Sequence, residues 1–212
     1  METHSFADVV DGARRRAFVG RRTELAGYLA ALTGRSVRRV LFVHGPGGIG
    51  KSTLLLEMRA RARDAGRATL LLDGRELEPT PEAVTAVLPT ESAGAGTVLL
   101  IDGYEQLAPV DGWLRRELIP SLPASGVVVL AGREPPAPAW RTDPGWREVV
   151  AVHPLGHLDD VDSAELLARA GVSAADRERL VRLGRGHRSP WRCSLTRRWP
   201  VRCRKPWPRC RI

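Results

Sequence analysis

The stretch HGPGGIGKSTLLLEM, His44–Met58, sets four glycines and a proline in front of one lysine and then turns apolar. Within it Gly45, Pro46, Gly47, Gly48, Ile49, Gly50, Lys51 and Ser52 match G-x-x-x-x-G-K-[ST] in full, and Thr53 follows. Backbone N–H groups can wrap a polyphosphate only where side chains are absent and φ is free, which Gly45, Gly47, Gly48 and Gly50 provide. A helix opening at Lys51 turns its unpaired N–H groups and the positive end of its dipole toward the anion. In this pattern the Lys51 ammonium reaches the β- and γ-phosphates and the Ser52 hydroxyl goes to Mg2+. The chain holds 31 arginines and only two lysines, so position 51 departs from its usual cation. A compact ammonium fits such a loop where a planar guanidinium fork is too large.

Three further residues have the types such a site needs. A metal-binding acid is expected at the end of a neighbouring buried strand, and VLLID ends at Asp102. With Gly103 behind it, Asp102 also reads as a plain strand-ending turn. Hydrolysis needs a group that orients water, and Glu105 in DGYEQL is the nearest candidate; an exposed acid at a helix start is the alternative. Arg133, after VVVLAG, is placed to report a third phosphate and stabilise its charge during transfer, with an ordinary surface arginine as the alternative.

The elements that must position these residues follow from periodicity. Apolar, β-branched runs predict strands at 38–44, 68–73, 97–102, 126–132 and 148–152. Helical spacing predicts helices at about 22–33, with Thr23 as a cap, and at 51–65, 81–88, 113–119, 162–170 and 174–183. Continuous apolar strands alternating with helices mean an α/β fold with a parallel sheet covered on both faces. Five strands are too few for a closed (βα)8 barrel.

The net charge of +9 is unevenly spread. Residues 185–212 hold ten basic residues and no acid, which leaves 23 basic against 24 acidic residues in 1–184. A nearly neutral body does not support nucleic-acid binding, although the Arg- and Trp-rich tail keeps a basic arm open. Cys193, Cys203 and Cys210 lack the paired spacing of a metal site. No apolar run is long enough for a membrane span and the N-terminus has no secretory pattern, so a cytoplasmic protein without membrane contact is expected.

Taken in order, FVGRRTEL, GPGGIGKST, LLIDGYEQL and VVVLAGR resemble the nucleotide-binding domain of STAND-type, AAA-related P-loop ATPases, including the origin-recognition-like modules of actinobacterial transcriptional regulators. The resemblance covers about residues 17–184. It implies a three-layer sandwich with strand order 5-1-4-3-2, ATP or ADP with Mg2+ as cofactors, and a Phe18, Val19, Gly20, Arg21 box bordering the adenine. It also implies Arg133 as a sensor on the fourth strand, and a switch that is quiet with ADP and opened by ATP and an inducer. Gly103 stands where relatives carry a second acid, so slow ATP hydrolysis is expected.

On this likeness the chain divides into an N-terminal lead (1–16), an ATPase core (17–155), the start of a helical lid domain (156–187) and a basic tail (188–212). Relatives carry Gly-x-Pro-Leu-Ala-Leu after the sensor strand. Restoring one cytosine after Gly186-His187 lets codons for Arg-Ser-Pro-Trp-Arg-Cys read Pro-Leu-Ala-Leu-Ala-Leu. The tail is therefore read as disordered or out of frame, and the chain as the N-terminal piece of a longer protein that has lost its downstream effector or regulator domain. A stand-alone metabolic NTPase or small-molecule kinase is the alternative. Its lid would have to be REPPAPAWRTDPGW, whose four prolines suggest a stiff surface loop.

Overall fold

The computed structural model describes residues 6–88 and 96–184; the tail from Arg185 onward lies outside them. Five strands form one sheet: β1 (Val40–His44), β2 (Thr69–Asp73), β3 (Val98–Asp102), β4 (Val127–Gly132) and β5 (Val150–Pro154). Their order is β2-β3-β4-β1-β5 with every pairing parallel, which is the expected 5-1-4-3-2 read from the other edge. Alternate side chains of the central strands feed two separate cores. Leu41, Val43, Leu100 and Val129 pack with Tyr28, Leu55 and Met58 on one face. Phe42, Ile101 and Leu130 pack with Leu107, Leu114 and Trp140 on the other. Burial on both faces explains the unbroken apolar runs, and it makes the fold an α/β three-layer sandwich.

Helices α1 (Phe6–Ala17), α2 (Arg22–Leu32), α3 (Lys51–Asp64) and α4 (Pro81–Ala86) precede β3. A helical run α5 (111–121) precedes β4, and two single turns, α6 (Ala139–Thr142) and α7 (Pro144–Val149), lead into β5. Helices α8 (Asp160–Arg169) and α9 (Ala174–Gly184) close the described chain. None of the described helices is long and apolar enough to cross a membrane.

Three local expectations change, and the N-terminal lead shows a helix where the sequence assigns no element. The N-terminal lead is largely helical: α1 packs on α3 and α8, and its Asp11 carboxylate gathers Arg14, Arg59 and Arg63 at 3.0, 3.4 and 3.5 Å. Thr23 does not cap α2; Arg21 precedes the helix in a left-handed conformation (φ 59°) with no side-chain cap. The helix expected at 113–119 begins earlier, as a 3-10 segment at Tyr104–Val110 that contains Pro109, and widens into a π turn at Leu114–Leu118. The proline-rich stretch after β4 is not simply a surface loop. Asp143 accepts from the amides of Gly145 and Trp146 at 2.9 and 3.1 Å, and Pro144 sits at the first position of α7, where a missing N–H costs nothing. The Trp140 side chain of α6 is fully buried.

The β5–α2 contact has a pH consequence. His153 lies against Gly27, where an added Cβ would stand 3.3 Å from its Cε1, and its buried Nε2 has no hydrogen-bond partner. Burial holds the imidazole below the usual histidine range of 6.5, with Arg38 acting in the same direction and Glu24 opposing. The unfolded chain therefore takes up this proton first. Stability should be full above about pH 6.5 and fall as the pH drops toward the folded-state value. Urea midpoints at pH 7.5 and 5.5 check this, and His153→Phe should lose less stability on acidification than the wild type.

Candidate functional site

All five strands end on the same side because the parallel register aligns them: His44 faces Gly132 and Pro154, and Asp73 faces Asp102. Ligand sites of open parallel sheets lie beyond these carboxyl ends. The phosphate-binding loop leaves β1 there. Gly45 approaches the backbone so closely that a Cβ would lie 2.8 Å from Leu155 O, and Gly50 turns into α3 with φ 103°. These glycines are required by the protein itself.

Gly47 differs. Its φ is not positive, and a Cβ on it would meet nothing within 4 Å. No contact with a described residue calls for glycine there, whereas a phosphate wrapped by the loop would. The amides agree. Gly45 N donates to Gly132 O at 3.3 Å and Ile49 N to Pro46 O at 3.4 Å, while those of Gly47, Gly48 and Gly50 donate to no described residue. An anion is what such donors fit.

Lys51 opens α3 and folds over the loop, donating to Gly45 O at 2.6 Å and Pro46 O at 2.9 Å. Partial burial pushes its pKa down; Glu105 and then Asp102 push it up, and Arg133 pushes it down. The four side chains expected from sequence therefore share one electrostatic neighbourhood. One turn of helix positions Ser52, whose hydroxyl donates to Asp102 Oδ2 at 2.5 Å. Hydroxyl and carboxylate converge as the donor set for Mg2+ requires, so the residues fit that ion. Among the described residues no group of three or more His, Cys, Asp or Glu side chains forms a cage of its own.

Glu105 and Arg133 meet each other. Glu105 Oε2 accepts from the Arg133 amide at 3.1 Å, and its Oε1 lies 3.3 Å from Arg133 Nε. Both carboxylate oxygens are thus engaged with a residue that is itself largely exposed.

The Phe18–Arg21 box is held by its arginine. The Arg21 guanidinium is buried and donates to Ile49 O of the phosphate-binding loop at 3.0 Å and to Gly156 O at 2.8 Å. Burial works against its charge, while Glu24 and then Asp162 support it. Gly20 (φ 74°) leaves no room for a side chain, which would run into the Asp162 carboxylate. Phe18 is buried and Val19 is almost fully so. Phe18 borders a cleft of about 110 Å³ together with Thr53, Leu56 and Ala60 of α3 and Asp11 and Arg14 of α1. Because Thr53 is in the first turn of α3, the cleft adjoins the phosphate-binding loop.

One charged residue at the site carries no sequence motif. Arg75, in the turn after β2, reaches Asp102 Oδ2 at 3.3 Å. The only signal for it was its position just past a strand that pairs with β3.

The sheet order and the loop between β1 and α3 give the chain the three-layer α/β fold of P-loop proteins. No protein-family model matches the chain, and no curated protein matches it in sequence. Solved structures do. A chain of the E. coli MS115-1 HORMA:CdnC:Trip13 complex is similar over 93% of this chain and 88% of its own length, with 16% identity and a TM-score of 0.58. C. elegans PCH-2 is similar over 83% of this chain, with 17% identity and a TM-score of 0.53. A mutant of Thermotoga maritima RuvB is similar over 73%, with 21% identity and a TM-score of 0.51. The chain spans about half the length of the RuvB and PCH-2 chains, 52% in each case. At these identities the likeness is one of fold.

Proposed function

We propose that this chain is an ATP-binding module of STAND/AAA type that uses Mg2+, hydrolyses ATP slowly and works as a nucleotide switch in a signalling or transcription-regulating protein of the cytoplasm. The observation that carries the nucleotide reading is the phosphate-binding loop. Its Gly47, Gly48 and Gly50 amides have no partner among the described residues, and no contact with a described residue calls for glycine at Gly47. Lys51 stands over these amides and exchanges its two carbonyl partners for phosphate oxygens, whose charge makes the stronger bond. Ser52 and Asp102 hold Mg2+, which neutralises phosphate charge. The cleft beside Phe18 and Thr53 takes the base, and the Phe-Val-Gly-Arg likeness favours adenine.

Slow turnover follows from the carboxylates. Gly103 offers none, and Glu105 spends two of its acceptor sites on Arg133. Glu105 orients water with what remains, and Arg133, beside it, meets the terminal phosphate. The effector domain and the inducer belong to the same proposal and rest on the sequence resemblance alone.

Titration with fluorescent ATP, ADP and GTP analogues tests the binding reading; no binding of any of them would remove it. Turnover tests the base. Glu105→Gln should lower the hydrolysis rate by about tenfold or more, in the range expected for a lost general base. An unchanged rate would show that Glu105 is not that group.

A further inference from the structure

We propose that Arg75 is a built-in counter-cation of the Mg2+ site: it holds the Asp102 carboxylate that would hold the metal, so that metal binding and release of Asp102 by Arg75 form one linked equilibrium. The inference rests on the Mg2+–nucleotide reading above and deepens it.

Backbone and side chain both fix the placement. The turn after β2 is stitched to the end of β3, since Gly74 N donates to Asp102 O at 2.8 Å. The two segments lie so close that a Cβ on Gly74 would stand 2.7 Å from Gly103 O. Arg75 is then anchored on Asp73, with Nε at 2.7 Å from Oδ1, Nη2 at 2.6 Å from Oδ2 and its own amide at 3.0 Å from Oδ1. From this anchor Nη2 reaches Asp102 Oδ2 at 3.3 Å, the same oxygen that accepts from Ser52.

The residue at position 103 completes the arrangement. Gly103 has φ 65°, and a Cβ there would lie 3.3 Å from Arg75 Cγ and 3.5 Å from Asp73 Oδ1. A side chain at 103 would press on the stem of Arg75. Glycine at this position withholds a second acid and also makes room for the arginine.

Two cations on one carboxylate repel. Were Ser52 and Asp102 to hold Mg2+, the Arg75 contact would weaken, and Arg75 would raise the Mg2+ concentration the site requires. Asp73 retains the guanidinium when Asp102 lets it go, so the exchange needs no large movement of the chain.

The test is a Mg2+ titration of fluorescent ATP-analogue binding to the full chain, comparing wild type, Arg75→Gln and Arg75→Lys. Arg75→Gln should lower the Mg2+ midpoint by about three- to tenfold, a range set by the exposure of the pair. Arg75→Lys, which keeps the charge, should stay closer to the wild type. Superimposable curves for the wild type and Arg75→Gln would overturn the inference while leaving nucleotide binding intact. So would weaker binding at saturating Mg2+ with an unchanged midpoint, which would place Arg75 on the phosphates instead. A wild-type chain that binds no nucleotide at any Mg2+ concentration overturns the functional reading and this inference with it.

Discussion

Lys51→Ala should raise the ATP dissociation constant about a hundredfold, the effect of losing about 3 kcal/mol of charge-assisted hydrogen bonding to phosphate. Among the described residues its side chain donates only to two carbonyls of its own loop, so the variant should melt within a degree or two of the wild type. Isothermal titration beside a thermal melt separates the two quantities. Lys51→Arg should not restore binding, because the loop that admits a compact ammonium meets a planar fork instead. Wild-type affinity in either variant would mean that the polyphosphate sits elsewhere, and the loop would need another explanation for Gly47.

Trp140→Ala should cost about 3–5 kcal/mol, as expected for emptying a fully buried indole site. That is a large share of the roughly 5–15 kcal/mol by which a domain is stable. The indole packs edge-on against Phe42 of β1 at 5.0 Å and against Trp146 at 4.8 Å between ring centroids. Its Nε1 donates to Asp111 Oδ1 at 2.6 Å, an oxygen that also accepts from the Tyr104 hydroxyl at 2.6 Å. Tyr104 begins the 3-10 segment that carries Glu105, so the same core fixes the candidate base. Trp140→Phe keeps the ring contact and drops the hydrogen bond, and it should cost about 1–2 kcal/mol. Urea denaturation measures both, and a Trp140→Ala variant as stable as Trp140→Phe would show that the indole is not a core anchor.

The central strands could be read from sequence because each is buried on both faces and therefore written as a continuous apolar run, as in VLFV and VVVLAG. The phosphate-binding loop could be read because its demands fall on consecutive residues. Asp102, Glu105 and Arg133 were placed by strand ends, and the structure brings them around Lys51, although Glu105 and Arg133 turn out to face each other. What escaped had no local signature. Helix α1 leaves two of its three large apolar side chains, Phe6 and Val9, exposed and is held partly by arginine contacts to Asp11 from α3, some 48 positions away. Arg75 belongs to the site only because β2 lies beside β3, a fact of sheet order. Trp140 looked like part of a stiff loop since four prolines surround it, yet Pro138 and Pro144 sit at turn and helix-start positions, and the ring of Trp140 enters the core.

A single nitrogen, Nη2 of Arg21, donates both to Ile49 O and to Gly156 O. Gly156 lies in the connection between β5 and α8, so the segment leading to the last two helices and the glycine-rich loop that holds Ile49 are geared to one tooth. Such bonds fail beyond about 3.5 Å. A shift of Gly156 by less than 1 Å therefore either drags the guanidinium off Ile49 or breaks the gear, and the arginine in front of α2 feels any swing of α8 and α9 before the sheet does.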